Sequence, residues 1–262
     1  MHPNNTLFVG KVLFRYSELP STNTCLQELA GNERPAEGTV VQTDHQTRGR
    51  GQMGQSWHSS AGKNLTFSTL FYPTFLPPHK AFLLTKLVAL ATRQSVAEAT
   101  NETVWIKWPN DIYLHDKKIA GILLQSSLQG SRLQYAIAGI GLNVNQSMFP
   151  AGLTKASSMA LLTGREYDLD TLRDQLLAHL EQWYLLARSG EHKAIDQAFL
   201  EHLYLRNQAA RFRRPDGAEF TGTIQGVDAI GRLVILRDQI QESFDLKEVS
   251  FLEPVPSNKL KK

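Results

Sequence analysis

The stretch RGRGQMGQSW, residues 48–57, carries residue types that can bind an anion. Its glycines allow backbone N–H groups to approach a phosphate or a carboxylate, and Arg50 can add a bidentate pair of hydrogen bonds. Trp57 can stack on a flat ring. The stretch lacks the apolar period of a helix or strand, so we expect a loop. The alternative is a solvated surface loop with Trp57 anchored in the core.

A second stretch, IKWPNDIY at residues 106–113, places a lysine, an asparagine and an aspartate around a proline. Pro109 excludes a helical pairing of Lys107 with Asp111. A strand that ends here and turns would let Lys107, Asn110 and Asp111 face one cavity. A cation beside a carboxylate suits a reaction that handles phosphate together with a proton or a metal ion. The alternative is a local salt bridge, which contributes about 0–1 kcal/mol when exposed.

The third stretch is KKIAGILLQ, residues 117–125, where Lys118 begins an otherwise apolar strand. The alternation of a strand places Ala120 next on the same face, and Gly121 lets another group approach the backbone. Lys118 therefore either extends outward to solvent, the commoner case, or reaches into a cavity.

Two further stretches can add polar groups to such a cavity. Ser21-Thr22-Asn23 precedes an apolar-periodic run and predicts a helix N-terminus, whose free N–H groups can face an anion or a carbonyl. AGIGLNVN, residues 138–145, lacks the third glycine and the βαβ unit of a dinucleotide site, which we therefore reject. Asn143 and Asn145 within it can still line a site, and the alternative is a polar strand end. The sequence has no P-loop, no nucleophile elbow and no metal-binding histidine spacing.

These residues need strands and helices to bring them together. Apolar patterns predict strands at residues 37–44, 63–73 and 103–108, and a hairpin that turns at Gly130-Ser131. Helical spacing predicts helices at residues 79–99, 168–189 and 191–204. After Tyr204, short strands alternate with turns, which predicts a small β-barrel or sandwich. We therefore expect an α+β chain with two domains, residues 1–204 and 205–262.

The composition limits the classes of function. The 262 residues are 42% apolar and 20% charged, which is ordinary for a globular protein. A net charge of +3 favours anionic ligands or an acidic partner and is too small for a dedicated nucleic-acid binder, so we expect no DNA partner. Cys25 is the single cysteine and excludes an internal disulfide. With no signal peptide and no membrane span in the sequence, we expect a reduced, cytoplasmic compartment.

The order and spacing of these motifs resemble the biotin protein ligases. The matching motifs are STN, QTRGRG with a downstream tryptophan, KWPND, KxxGIL and GIGLN. KWPND followed closely by KIAGILLQ is highly specific, and the resemblance covers nearly the whole chain. It implies a class II synthetase-like catalytic domain of the biotin/lipoate ligase type, with a mixed sheet flanked by helices, and an SH3-like barrel at the C-terminus. The chain begins at the catalytic domain, so it resembles the short form without an N-terminal winged helix.

The resemblance implies a two-step ligation that uses ATP, Mg²⁺ and biotin. The carboxylate of biotin attacks the α-phosphate of ATP, which gives biotinoyl-5′-AMP and pyrophosphate. The ε-amine of one lysine on a biotin carboxyl carrier protein then attacks the mixed anhydride and releases AMP. The first step brings two anions together and therefore needs cations. The oligomeric state stays open between a monomer and a homodimer.

The resemblance also implies roles for residues of this sequence. The implied catalytic residues are Lys118, Arg50, Lys107 and Asp111. The implied biotin-binding residues are Ser21, Thr22, Asn23, Gln46, Gly49, Arg50, Gly51, Gln52, Lys118 and Gly121. The residues implied for ATP and the adenylate are Arg50, Trp57, Lys107, Asn110 and Asn143. Asp111 is the candidate Mg²⁺ ligand, and also our candidate to orient or deprotonate the incoming lysine, whose free pKa is about 10.4.

The resemblance suggests a purpose for the loop at residues 48–57. A glycine-rich loop can open to admit biotin and then close over the adenylate, which excludes water. One departure from the family pattern concerns charge. Many members carry a second arginine where this chain has Gln52, and Met53 and Gln55 replace further basic positions. Either the adenylate is retained more weakly here, or other cations compensate.

Two other functions are compatible with the sequence. A lipoate ligase or an octanoyltransferase resembles this fold and uses the same acyl-to-lysine chemistry. A transferase needs a nucleophilic Cys or Lys in the site, and Cys25 lies on a predicted helix, where we expect it to be packed. A non-catalytic module that binds nucleic acid or protein would use the basic loop and the barrel, and it would show steep salt dependence without ATP turnover.

Overall fold

The computed structural model describes residues 5–254 of the chain. Its larger sheet has seven strands in the spatial order β1-β2-β3-β7-β6-β5-β4. These are β1 (Leu13–Leu19), β2 (Val40–Gln46), β3 (Leu65–Phe71), β4 (Val104–Lys107), β5 (Asp111–Leu114), β6 (Lys117–Gln129) and β7 (Arg132–Leu142). β1 pairs with β2 in parallel and the remaining neighbours pair antiparallel, so the sheet is mixed, as predicted.

Helices cover both faces of this sheet. They are α1 (Thr22–Asn32), α2 (Phe82–Thr100), α3 (Met159–Thr163), α4 (Leu169–Arg188) and α5 (His192–Glu201). On one face, Leu26 of α1 packs with Val41, Leu70 and Ile137 in a small apolar cluster. On the other, α2 contributes eight buried residues to the main core and packs against α4 and α5. Among the described residues, no helix combines the length and apolarity that crossing a membrane requires.

A second sheet follows the last helix. It has five antiparallel strands in the order β11-β10-β9-β8-β12. They are β8 (Ala209–Arg213), β9 (Glu219–Val227), β10 (Leu233–Arg237), β11 (Ile240–Phe244) and β12 (Ser250–Pro254). This sheet is consistent with the predicted SH3-like barrel. The boundary at residue 205 stays a prediction, and residues 1–4 and 255–262 of the two predicted domains lie outside the described residues.

Most predicted elements are present, but β1, β5, α3 and β12 were not predicted. β1 is an edge strand whose five central residues are all exposed, so it shows no alternation. β5 has four residues and follows Pro109 almost directly. α3 has five residues, which is too short for a helical period to be recognised. Each was missed because its signal is shorter or weaker than the pattern that predicts the element.

A buried carboxylate ties the start of the chain to α4. Glu181 is 5% exposed. Its two oxygens accept backbone hydrogen bonds from Leu7, Phe8 and Val9 at 2.6, 2.7 and 2.9 Å. Hydrogen bonds to a charged acceptor are stronger than neutral ones, and removal of the acceptor would leave buried donors unpaired.

We predict that Glu181→Ala lowers the free energy of unfolding by roughly 2–4 kcal/mol, because up to three N–H groups lose their acceptor. Urea denaturation measures this. Gln182→Ala is the matched control, since Gln182 is exposed on the same helix and such surface changes stay within about 0.5 kcal/mol. Equal stability of the two variants would contradict this account of the anchor.

Candidate active site

One row of residues crosses the larger sheet and opens a depression in it. Thr66, Gly141, Gly121, Asp111 and Lys107 lie opposite one another on β3, β7, β6, β5 and β4. Directly opposed residues of antiparallel strands point to the same face. Two of the five are glycines, so the middle of the row has no side chains. The row faces the side of the sheet that carries α1, because Ile137 and Leu70 lie further along the same face.

A cavity of about 240 Å³ occupies this face. Its lining combines the N-terminus of α1, the loop at residues 48–57 and the centres of β3, β5, β6 and β7. The lining residues are Ser21, Thr22, Asn23, Gln46, Arg50, Gly51, Gln52, Gln55, Ser56, Trp57, Thr66, Asn110, Asp111, Lys118, Gly121, Ile122, Leu123, Gly139, Ile140 and Gly141.

The first turn of α1 forms a fixed polar wall. Asn23 fills the space that a side chain at Gly139 would occupy, so that a Cβ there would overlap Asn23 Oδ1. Asn23 Nδ2 donates to Gln125 Oε1 at 2.8 Å, and Ser68 Oγ donates to Asn23 Oδ1 at 2.5 Å. The backbone N–H of Thr22 donates to Gln46 Oε1 at 2.8 Å. Ser21 stands at the predicted N-cap position, but its side chain makes no capping hydrogen bond and lines the cavity instead.

The loop at residues 48–57 forms the opposite wall. Arg50 pairs with Ser56 in an isolated antiparallel bridge, and the Trp57 N–H donates to the Gly49 carbonyl at 3.0 Å. The Trp57 indole lies on Gly141, where a Cβ would overlap the ring. Its Nε1 is buried and has no acceptor among the described residues. Unpaired buried donors are uncommon and mark a place where a ligand acceptor would be accommodated.

An ion pair stands at the edge of the cavity. Lys118 Nζ lies 2.6 Å from Asp111 Oδ1, and both side chains line the cavity. The prediction that Lys118 and Ala120 share one face of β6 was wrong. A β-bulge shifts the register between β5 and β6, so that Tyr113 lies opposite Lys118 whereas Ile112 lies opposite Ala120. Lys118 therefore shares its face with Gly121, where a Cβ would be 3.5 Å from Lys118 Nζ. The bulge, and not simple alternation, turns Lys118 into the site.

Lys107 stands outside the cavity lining, beside this ion pair. Its Nζ donates to the Tyr113 hydroxyl at 3.1 Å. Burial lowers the pKa of Lys107 to about 8, and the nearby positive charges of Lys155 and Lys118 add to this effect, while Asp111 opposes it. Lys107 therefore gains or loses its proton within the pH range in which most enzymes operate.

The two predicted asparagines lie in different surroundings. Asn110 lines the cavity and donates through Nδ2 to the Ile122 carbonyl at 2.5 Å. Asn143 lies outside the lining and donates to the Ser157 carbonyl at 3.0 Å. The Asn143 Oδ1 atom is buried without a donor among the described residues.

The donor set does not fit a metal held by the protein. Asp111 is the one carboxylate in the lining, and its Oδ1 is paired with Lys118. Within residues 5–254, His, Cys, Asp and Glu side chains form no group of three that could hold a metal ion. The Mg²⁺ predicted at Asp111 therefore stays a prediction, and no step is assigned to it.

Most of the predicted site residues gather around one cavity. The predicted residues in the lining are Ser21, Thr22, Asn23, Gln46, Arg50, Gly51, Gln52, Trp57, Asn110, Asp111, Lys118 and Gly121. Those outside it are Gly49, Lys107 and Asn143. The lining residues that the sequence did not single out are Gln55, Ser56, Thr66, Ile122, Leu123, Gly139, Ile140 and Gly141. Gly139 and Gly141 belong to the GIGLN motif, so the paired glycines were the available signal.

Fold and site together combine a mixed sheet, a glycine floor and a glycine-rich loop with Arg50 around one cavity. The family model of the biotin/lipoate A/B protein ligase family matches residues 16–143. The bifunctional ligase/repressor BirA of Bacillus subtilis is 38% identical over 182 residues, which cover 68% of this chain and 55% of the relative. The biotin–[acetyl-CoA-carboxylase] ligase of Mycobacterium tuberculosis is 27% identical over 218 residues, which cover 82% and 79%.

Solved structures agree with the sequence relatives. A biotin protein ligase from Aquifex aeolicus, in complex with biotin and ATP, superposes with a TM-score of 0.76 at 26% identity. The match covers 92% of this chain and 99% of that one. The chain is therefore similar to the biotin/lipoate A/B protein ligase family over residues 16–143, and to a biotin protein ligase along most of its fold. It spans about half the length of the Bacillus relatives, 55% of each.

We predict that Gly141→Ala displaces the Trp57 indole and opens the loop. Overpacking of this kind costs about 1–3 kcal/mol, so the open population increases roughly tenfold or more. Trypsin cleavage at Arg48 and Arg50 reports that population when opening is fast relative to cleavage. Gly31→Ala is the control, because a Cβ at Gly31 meets no atom within 4 Å. An unchanged cleavage rate in Gly141→Ala would show that Trp57 does not close the loop.

Proposed function

We propose that this chain is a biotin–protein ligase, which attaches biotin to one lysine of a biotin carboxyl carrier protein through biotinoyl-5′-AMP. The observation that carries the proposal is a single cavity with a polar wall at α1, a glycine floor and the Lys118–Asp111 ion pair at its edge. Relatives named as biotin ligases, and a related structure with biotin and ATP, support it.

The cavity suits a small molecule with a polar head, an apolar middle and a carboxylate. In our proposal, the hydrogen-bonding groups of Thr22, Asn23 and Gln46 hold the ureido head of biotin. Leu123 contributes apolar surface to the lining, on the same face of the sheet as Gly139 and Gly121. Lys118 then binds the carboxylate, because its ammonium is the cation nearest to the glycine floor.

The first step needs positive charge where two anions meet. We assign this role to Lys118 and Arg50 in the cavity, with Lys107 beside them, since each reduces the repulsion between a carboxylate and a phosphate. Trp57 supplies a flat surface and an unpaired N–H, and Asn143 supplies an unpaired carbonyl oxygen. These groups are our candidates to hold the nucleotide. Closure of the loop excludes water from the mixed anhydride.

The second step needs a neutral amine on the carrier protein. Asp111 is our candidate to orient the incoming lysine and to accept its proton. Its carboxylate pairs with Lys118, so this role requires Lys118 to exchange Asp111 for the substrate carboxylate. In this proposal the exchange makes the first step precede the second, because Asp111 is released from Lys118 only after the first substrate has bound.

The described residues provide no cysteine nucleophile for the transferase alternative. Cys25 lies on α1, where it packs beside the apolar cluster of Leu26, Val41 and Leu70 and does not line the cavity. Burial raises the pKa of its thiol, which keeps it protonated and unreactive. The same free thiol supports our proposal of a reduced, cytoplasmic compartment.

We predict biotin-dependent exchange of pyrophosphate into ATP, with octanoate and lipoate as parallel substrates. Exchange with biotin alone supports the proposed function, and exchange with lipoate would instead indicate a lipoate ligase. Absence of exchange with all three acids would favour the non-catalytic binding module. The matched variants are Lys118→Gln and Lys117→Gln. Lys118→Gln should lower the exchange rate roughly 10²–10³-fold, as does the loss of a group that stabilises developing charge. Lys117→Gln should lower the rate less than about twofold, because Lys117 is exposed and its Nζ donates to the Thr154 carbonyl.

We also predict that Gln52→Arg strengthens retention of the adenylate. Gln52 lines the cavity, so an arginine there adds a cation facing the phosphate. One charged hydrogen bond contributes about 1.5–3 kcal/mol, which corresponds to a roughly tenfold to hundredfold slower release of biotinoyl-AMP, measured by rapid filtration. Met53→Arg is the control, because Met53 is 55% exposed and outside the lining. Equal release rates in both variants would mean that position 52 does not face the bound phosphate.

A further inference from the structure

The second sheet holds the KWPND segment from outside the cavity. β4 is an edge strand of the larger sheet. Its residue Ile106 forms two backbone hydrogen bonds with the segment that leads into the second sheet. The Ile106 N–H donates to the His202 carbonyl, and the Ile106 carbonyl accepts from the Tyr204 N–H. Trp108 Nε1 donates to the Gly231 carbonyl of the β9–β10 turn at 2.8 Å. The segment is therefore fixed by residues far away in sequence.

Lys107, between these two points, sits between two aromatic rings. Its Nζ lies 4.8 Å from the ring centroid of Tyr113 on β5 and 4.8 Å from that of Phe251 on β12. Both distances are within the range of a cation–π interaction. Tyr113 is braced in turn by Tyr204, with ring centroids 5.4 Å apart. One ring thus comes from the larger sheet and the other from the second sheet.

The Phe251 ring is itself set by packing. It meets Phe212 edge to face, with centroids 5.5 Å apart, and Phe212 is fully buried in the second sheet. Phe251 is therefore attached to the core of the second sheet while it covers a lysine of the larger one. Its removal would leave that core in place but open one side of Lys107 to water.

We infer that Phe251 is a positioning residue, by which the second sheet holds the Lys107 ammonium against Tyr113 at the edge of the catalytic cavity. This inference rests on the proposed function, since it concerns the cation that assists ATP. β8–β12 contribute no residue to the cavity lining. The second sheet would therefore act in the reaction indirectly, through the position of Lys107.

The charged groups around Lys107 determine the pH at which it loses its proton, and therefore the pH dependence of ATP binding. The charged groups that act on it are Asp111 on β5, Lys118 on β6 and Lys155 in the loop before α3, and burial is the largest influence on its pKa of about 8. A lysine that binds phosphate through its positive charge no longer attracts the phosphate once it is deprotonated. The KM for ATP should therefore rise as the pH passes upward through about 8, whereas the KM for biotin should change little.

The test compares Phe251→Ala with Phe220→Ala in the full chain. Phe220 is a ring of the same core that stacks on Phe212 but does not contact Lys107. We expect Phe251→Ala to raise the KM for ATP about fivefold to tenfold at neutral pH, the scale of one lost cation–π contact, and to leave the KM for biotin within about twofold. Because water then reaches Lys107, its pKa should move upward toward the ordinary lysine value, and the pH at which the KM for ATP rises should move with it.

The Lys107 pKa is measured independently of activity, by NMR titration of ¹³C-labelled lysine with Lys107→Arg to assign the signal. If the two alanine variants give the same KM for ATP and the same Lys107 pKa, the inference is wrong. If either variant fails to fold, Phe251→Leu and Phe220→Leu replace them, with a smaller change expected only in the first. If the unaltered chain shows no biotin-dependent exchange, the proposed function fails, while the titration still decides whether Phe251 holds Lys107.

Discussion

The absence of three side chains on β6 and β7 is the constraint on which the whole site depends. Gly121, Gly139 and Gly141 lie beside one another on the face that α1 covers. A side chain at any of them would enter the space now held by Asn23, by Trp57 or by the cavity between them. Glycine weakens a strand interior, and here the long β6–β7 hairpin, flanked by β3 and β5, supplies the ladder that keeps the backbone in place.

The two walls on this floor differ in how firmly they are held. Asn23 is locked by Ser68, Gln125 and the Leu123 carbonyl, all of them part of the sheet. Trp57 is held by contact with the glycines and by a short bridge within its own loop. One wall is therefore permanent, and the other can separate without disturbing the sheet. This difference is the physical basis on which a loop can admit a substrate and then enclose it.

The sequence was sufficient for the residues whose chemistry is local. Lys118, Asp111 and Arg50 were singled out as a lysine at the start of an apolar strand, an aspartate shortly after Pro109 and an arginine among glycines, and the family resemblance implied their catalytic roles. What the sequence could not predict depends on long-range packing. The turn of Lys118 into the cavity depends on a bulge at Ile119, which the alternation of the strand conceals. Likewise, the contact of Phe251 with Lys107 joins residues 144 positions apart, which no local pattern reveals. The edge strand β1 was missed because its exposed residues lack a period.

The ion pair of Lys118 and Asp111 connects the two steps of the proposed reaction. An ammonium in a partly enclosed cavity needs a counter-charge, and Asp111 provides it at 2.6 Å. A substrate carboxylate can take over that place, because it is an anion beside the same cation, and the site then carries one additional negative charge. Asp111 is then left without its partner, close to the same end of the cavity. A free carboxylate there attracts the next cation to arrive, and the protonated lysine of a carrier protein is such a cation. In the proposed reaction, the same pair therefore prepares the site for the second substrate only after the first has bound.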